Sequence, residues 1–476
     1  MEPDPRIQHL LRRAGFGATA AEAARYTERG VAATVEELVD FARFPDDVDA
    51  AFPTTDPFAP STVINDARQR WLFRMIRTRR PLQEKMALFW HNHFATAYSK
   101  IAGRVGGPEA TRMLAATRAE HPIGLRGQLE LFREYALGNF RGLLVEVAKD
   151  PAMLVWLDGR ANTKTRPQEN FAREVMELFT IGIGQFTETD VYAGARVFTG
   201  WNLQRVGDPA DRDAPYQFFF NAGQHDTAAK DFSFPIYTGG GRTIPARAAG
   251  EGMQDGLDLI AALARHPETG RRLAQRLWAF FVSEIQMPSR SFVDNVANVY
   301  RQSDGNMAPT VRAVLTSREF SSASSYFARY SWPVEYVARA LKEVGYAGYP
   351  LSSALSPLAN MGQQLFEPPD VNGWSLGPSW FSTAAMLARM NFASNLIGRQ
   401  RAEIARVASG QGATPEALLS FYLDRVSPAP FERDAYDALL AYLHGNSAWT
   451  GTDAQLRVKA PGLLHLIVGS SEYQLV

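Results

Sequence analysis

The chain has 476 residues, 46% of them apolar, and its 50 Lys+Arg balance 50 Asp+Glu for a formal net charge of +0. That apolar content supplies a large buried core, and length alone suggests about two or three domains. Neutrality gives none of the basic excess that marks a nucleic-acid binder, and zero cysteines exclude disulfides, thiol catalysis, zinc–thiolate sites and iron–sulfur clusters.

The N-terminus, M-E-P-D-P-R-I-Q-H-L-L-R-R, starts acidic and lacks the apolar core of a signal peptide. No run reaches the ~18 apolar residues of a membrane span. As written, the sequence predicts a cytoplasmic protein, with a periplasmic location open if a leader is trimmed or the chain is exported with a partner. His9 to Gly17 reads as a short helix ending at glycines, and helical periodicity continues from Ala18 to Phe44 with a break at Gly30. Arg12 and Arg13 leave two readings open, an anion-binding pair or ordinary cations at a helix C-terminus. Phe52 to Pro60 is a Pro/Asp/Thr-rich loop.

Ile64 to Arg79 is helical, and so is Pro81 to Thr96, P-L-Q-E-K-M-A-L-F-W-H-N-H-F-A-T. Its H-x-H spacing suggests a metal site on a strand, but on a helix the two rings lie about 160° apart and cannot share an ion. The periodicity is helical, with Leu82, Met86, Phe89, Trp90 and Phe94 as a stripe. His93 falls inside that stripe, as a buried core histidine or a single ligand, and His91 falls on another face. Lys100 to Gly107 reads as a glycine-containing loop and a candidate lid. Pro122 to Lys149 is helical with a break at Gly138–Asn139.

Pro167 to Trp201 is the densest run of helix punctuation and well-placed carboxylates. Pro167 suits a first helical position, and Gly182 and Gly184 supply a stop. At about 100° per residue, Phe171, Ala172, Val175, Met176, Leu178 and Phe179 share an apolar face. Asn170, Glu174 and Glu177 form a strip within roughly 60° beside it. Such a strip offers an acid, a base or metal-coordinating oxygens, and is equally the wet edge of a core helix. Thr187 with Asp190 is a helix N-cap signature.

Beyond Leu203 the helical period fades, aromatics cluster at Tyr216 and Phe218 to Phe220, and Gly239–Gly241 marks a turn, which predicts short strands with long loops. His225-Asp226, with Lys230 four residues on, sits in this region as candidate site residues or as an Asx-type turn with a solvated lysine. Helices resume from Met253. Met361 to Trp374 is a Pro/Gly loop closed by aromatics, with Trp374 and Trp380 lining a sugar-like surface or anchoring the loop. Thr414-Pro415 opens a helix, after a linker candidate at Gly410–Gly412. The expected fold is mainly α, a multi-helical bundle-like array with a small β-hairpin insertion. Residues 1–408 would form the main helical domain, with a short β element at about 204–250, and residues 413–476 a C-terminal helical appendage packed on it.

H-L-L-R-R-A-G-F-G (from His9), F-W-H-N-H-F-A-T (from Phe89), E-N-F-A-R-E-V-M-E-L-F-T-I-G-I-G (from Glu169), A-R-V-F-T-G-W (from Ala195) and G-Q-Q-L-F-E-P-P-D-V-N-G-W together resemble the bacterial domain-of-unknown-function 1800 family over nearly the whole length. The resemblance implies a mostly helical protein and brings no established reaction. It also implies a partner resembling sulfatases and alkaline phosphatases, and so work on a sulfated or exported substrate. Gln168 stands where the family pattern has Asn, and Ala228 where it has Gly.

Three functional readings follow. The first is a metal-assisted hydrolase on a glycan or a sulfated or phosphorylated compound, one divalent ion (Mn, Fe, Zn, Ca or Mg) being held by a subset of His91, His93, Glu174, His225 and Asp226. The second is metal-free acid–base chemistry with Glu174 or Glu177 against His225. The third is a non-catalytic helical partner or maturation factor for the sulfatase-like protein. No G-x-S-x-G is present and no G-x-G-x-x-G follows a strand, so no hydrolase elbow and no nucleotide or flavin site is expected.

Overall fold

Short polar side chains and prolines start the helices that frame the molecule. Asp4, Thr19, Asn139, Asp150, Thr187, Ser289 and Thr414 each accept a backbone N–H from the first turn they precede, satisfying donors that a helix cannot satisfy itself. The computed structural model describes residues 4–52, 57–207, 214–346, 348–445 and 448–476. Among them are 22 α-helices and two small two-stranded antiparallel sheets. The chain is therefore mainly α with a small β insertion, and among the described residues no helix is long and apolar enough to cross a membrane.

The β insertion starts earlier than its sequence suggests. Trp201–Arg205 pairs with Tyr216–Phe220, and Lys230–Asp231 with Thr243–Ile244; residues 208–213, and 53–56 of the Pro/Asp/Thr-rich loop, lie outside the described residues. Two further expectations need correction. Lys100 to Gly107 is helical, in Tyr98–Val105 and Gly107–Ala115 joined at Gly106 (φ 93°), because glycine suits the sharp turn between two helices. Pro167 precedes its helix, which is Asn170–Glu177, because the Asn162 side chain accepts the Gln168 N–H (3.0 Å) and holds that residue ahead of the helix.

One continuous core runs from Leu10 to Tyr473, and it contains charge. Buried Glu84 accepts from Trp71 Nε1 (3.1 Å), Arg74 Nε (3.0 Å) and Arg133 Nε (2.8 Å). Arg339, on the helix Pro333–Val344, donates to the carbonyls of Tyr473 (3.3 Å), Leu475 (3.1 Å), Val426 (2.7 Å) and Ser427 (2.8 Å). A buried guanidinium with all its donors used fixes where the chain end lies. The C-terminal helix Asp453–Gly469 packs along Thr383–Ala408.

Candidate functional site

The helix Asn170–Glu177 buries Phe171, Ala172, Val175 and Met176, the face expected from its periodicity. Gly182 (φ 84°) ends the segment by returning its N–H to the Met176 carbonyl (2.9 Å), a left-handed position that glycine adopts without cost. Glu174 and Glu177 are half-buried beside that face. Burial, with Glu177 adding to it, raises the Glu174 pKa above the ordinary carboxyl range, and Arg173 only partly opposes this. Arg173 turns outward to Glu188 (2.9 and 2.6 Å) and Glu169 (3.2 Å).

The other sequence candidates are placed elsewhere, each with its own partner. His91 is buried, and its Nε2 accepts the Phe366 N–H (3.2 Å); burial pushes its pKa down to about 3. His93 is buried on the other side of the helix Pro81–His93, with Nε2 donating to the Phe179 carbonyl (3.1 Å). Burial first, then Arg276 and Arg272, hold its pKa well below the usual imidazole range.

His225 is buried between the Thr199 carbonyl (Nδ1, 2.9 Å) and Asp255 Oδ2 (Nε2, 3.3 Å). Asp255 also takes Lys230 Nζ (2.5 Å) and Arg247, so one buried carboxylate gathers three donors. Asp226 is clasped by Arg196 through Nε (2.8 Å) and Nη2 (3.1 Å). Burial alone would raise the Asp226 pKa, but the Arg196 pair holds it below the ordinary value. Among the described residues no three His, Asp or Glu side chains form a group able to hold a metal ion. The donor chemistry agrees, since His91 Nε2, both His225 nitrogens and the Asp226 oxygens are already engaged.

The structure instead gathers two of the motif stretches and a third helix around a cleft of about 350 Å³. Phe89 and Asn92 come from F-W-H-N-H, and Asn372, Trp374, Ser375 and Leu376 from the aromatic-closed loop and its continuation. The helix Pro267–Phe281 contributes Arg272, Gln275 and Arg276. Asn92 Oδ1 accepts the Trp374 N–H (2.7 Å), and a Cβ at Gly373 (φ 83°) would lie 2.3 Å from that oxygen. Only glycine lets the loop approach so closely. Trp374 and Trp380 are buried, so they anchor the loop rather than offer a stacking surface.

Arg272 and Arg276 are one helical turn apart on the same face. Arg272 Nε donates to the Leu178 carbonyl (3.2 Å), tying the cleft to the end of the Glu174 helix. Burial lowers its pKa, while Glu177 opposes the shift. Burial, with Arg272 beside it, lowers Arg276 to about 10, so its guanidinium stays charged at neutral pH. Arg276 has no carboxylate partner among the described residues.

The family described as protein of unknown function (DUF1800) matches residues 9–475. The chain belongs to that family. No curated protein and no solved structure matches it.

Sequence reasoning passed over Arg272 and Arg276, although R-L-A-Q-R carries the signal. Arginines at i and i+4 with Gln275 between them make a polar strip, and no acidic residue lies within a turn of Arg276.

Proposed function

We propose that this DUF1800 protein binds a small ligand through an oxyanion group, a sulfate, phosphate or carboxylate, in the Arg272–Arg276 cleft. The observation that carries the reading is the uncompensated, half-buried Arg276 one turn from Arg272. Two like charges held together out of bulk water disfavour each other, and an anion between them relieves the strain. Guanidinium forks match the oxygens of such groups, and Gln275, Asn372 and Ser375 add polar groups at the cleft mouth.

The enzymatic form of this reading is a metal-free hydrolase on an anionic glycan or a sulfated or phosphorylated compound. It would use Glu174 as proton donor, on the helix whose end Arg272 reaches through the Leu178 carbonyl, and Glu177 sits close enough to attract Arg272. The metal-assisted form has the least support, because its candidate ligands are dispersed among the described residues. The non-catalytic form holds such a compound for a sulfatase- or phosphatase-like partner. Binding is common to both surviving forms, and turnover separates them.

The test is calorimetric titration with sulfate and with phosphate at fixed ionic strength. Saturable binding is expected in the wild type, weakened at least ~10-fold in Arg276→Gln because a charge-assisted contact is lost. Undiminished affinity in Arg276→Gln, or no binding of either anion by the wild type, overturns the proposal. Release of 4-nitrophenol from its sulfate or phosphate ester, lost in Glu174→Gln, selects the enzymatic form.

A further inference from the structure

The second arginine of H-L-L-R-R ends the helix Pro5–Arg13 deep in the protein. Arg13 is 0% exposed, yet its one hydrogen bond is from Nη2 to the Ser325 carbonyl (2.6 Å). Its Nε and Nη1 are buried with no acceptor among the described residues. Arg12 differs: its Nη1 donates to Ser427 Oγ (2.7 Å), and its guanidinium covers the Phe327 ring at 4.6 Å.

The surroundings of Arg13 are short of negative charge. Arg329, also 0% exposed, donates from Nη2 to Glu335 Oε2 (2.7 Å) and faces Glu284 Oε1 from Nε at 3.5 Å, while its Nη1 has no acceptor. Lys85 takes the other oxygen of Glu335. Three buried cations, Arg13, Arg329 and Lys85, thus face two carboxylates, Glu284 and Glu335. Burial raises the Glu284 pKa, and Arg329 opposes the shift.

We propose that this interior binds a monatomic anion, chloride under ordinary conditions, on the free donors of Arg13. Water could accept these hydrogen bonds but leaves the charge unbalanced, and an unpaired buried charge is costly. Complete burial argues for a small spherical ion over sulfate or phosphate, whose several oxygens would each need a donor. The site is separate from the cleft and does not depend on what the cleft binds.

Wild-type crystals grown with bromide in place of chloride should show an anomalous peak within hydrogen-bonding reach of Arg13 Nε and Nη1. In solution, the wild-type Tm should rise as chloride replaces gluconate at fixed ionic strength. That rise should persist in Arg276→Gln, which alters only the cleft, and disappear in Arg13→Met. Water density without an anomalous peak at Arg13 overturns the proposal, as does the same chloride dependence in Arg13→Met. The diffraction arm uses the wild-type protein and decides the question even where Arg13→Met does not fold.

Discussion

The Asp255 knot and the Arg272–Arg276 cleft use the same kinds of side chain and reach opposite charge balances. In the knot, one fully buried carboxylate collects His225, Lys230 and Arg247, and Arg247 continues to Asp258. In the cleft, two guanidiniums share a face and Arg276 has no carboxylate partner among the described residues. Matched buried charge ties segments together. Unmatched charge in an open cleft leaves interaction energy available for a ligand. The knot is therefore read as scaffold, although it contains the His225 that the sequence marks as a site residue.

The largest expected effect tests the knot. Asp255→Asn removes the charge that offsets Lys230 and Arg247 and should cost ~3–5 kcal/mol in denaturant unfolding. Burial would raise the Asp255 pKa, yet its three donors hold it below the ordinary value. Its stabilisation is therefore present above the unfolded pKa of about 3.9 and is lost as pH falls through the lower folded value. The wild type should consequently lose stability in acid more steeply than Asp255→Asn. An unchanged unfolding midpoint would remove the contrast with the cleft.

His93→Leu comes next, because it leaves the buried Phe179 carbonyl without its donor. A cost of ~1–3 kcal/mol is expected, with sulfate affinity retained, measured by unfolding and calorimetry in parallel. Loss of sulfate binding at unchanged stability would move His93 into the ligand site.

Arg276→Gln should change stability by under ~1 kcal/mol, because it removes a like charge beside Arg272 rather than a pair. A large destabilisation would show that this arginine is scaffold as well.

The smallest effect is expected at Glu174, which no cation clasps. Its raised pKa contributes stability below the unfolded value of about 4.3, lost as pH rises through the folded one. Glu174→Gln should therefore be neutral or stabilising by a few tenths of a kcal/mol near pH 7. That gain should vanish below pH ~4 in thermal melts.

Much of the fold was legible locally. The capping box at Thr187–Asp190 and the start at Thr414-Pro415 appear where their residues place them, because a cap acts within a few residues of itself. The Glu174 face was legible for the same reason. The pairing of Arg196 with Asp226 was not, being a choice made by how two segments pack. Asp255 and Arg329 gave no local sign of importance, since an ion pair across many residues has no spacing rule.

The sequence by itself determined the mainly helical architecture, the helix faces that become core, and the family, through motifs spread from His9 to Trp374. Helical period and capping chemistry are short-range and survive without the rest of the chain. Only the tertiary structure decided which charges are matched. It put His91, His93 and His225 in separate buried settings, Asp255 among three donors, and Arg276 in a cleft without a counter-charge. Charge balance in a low-dielectric interior depends on which distant segments meet there, and that is settled by packing.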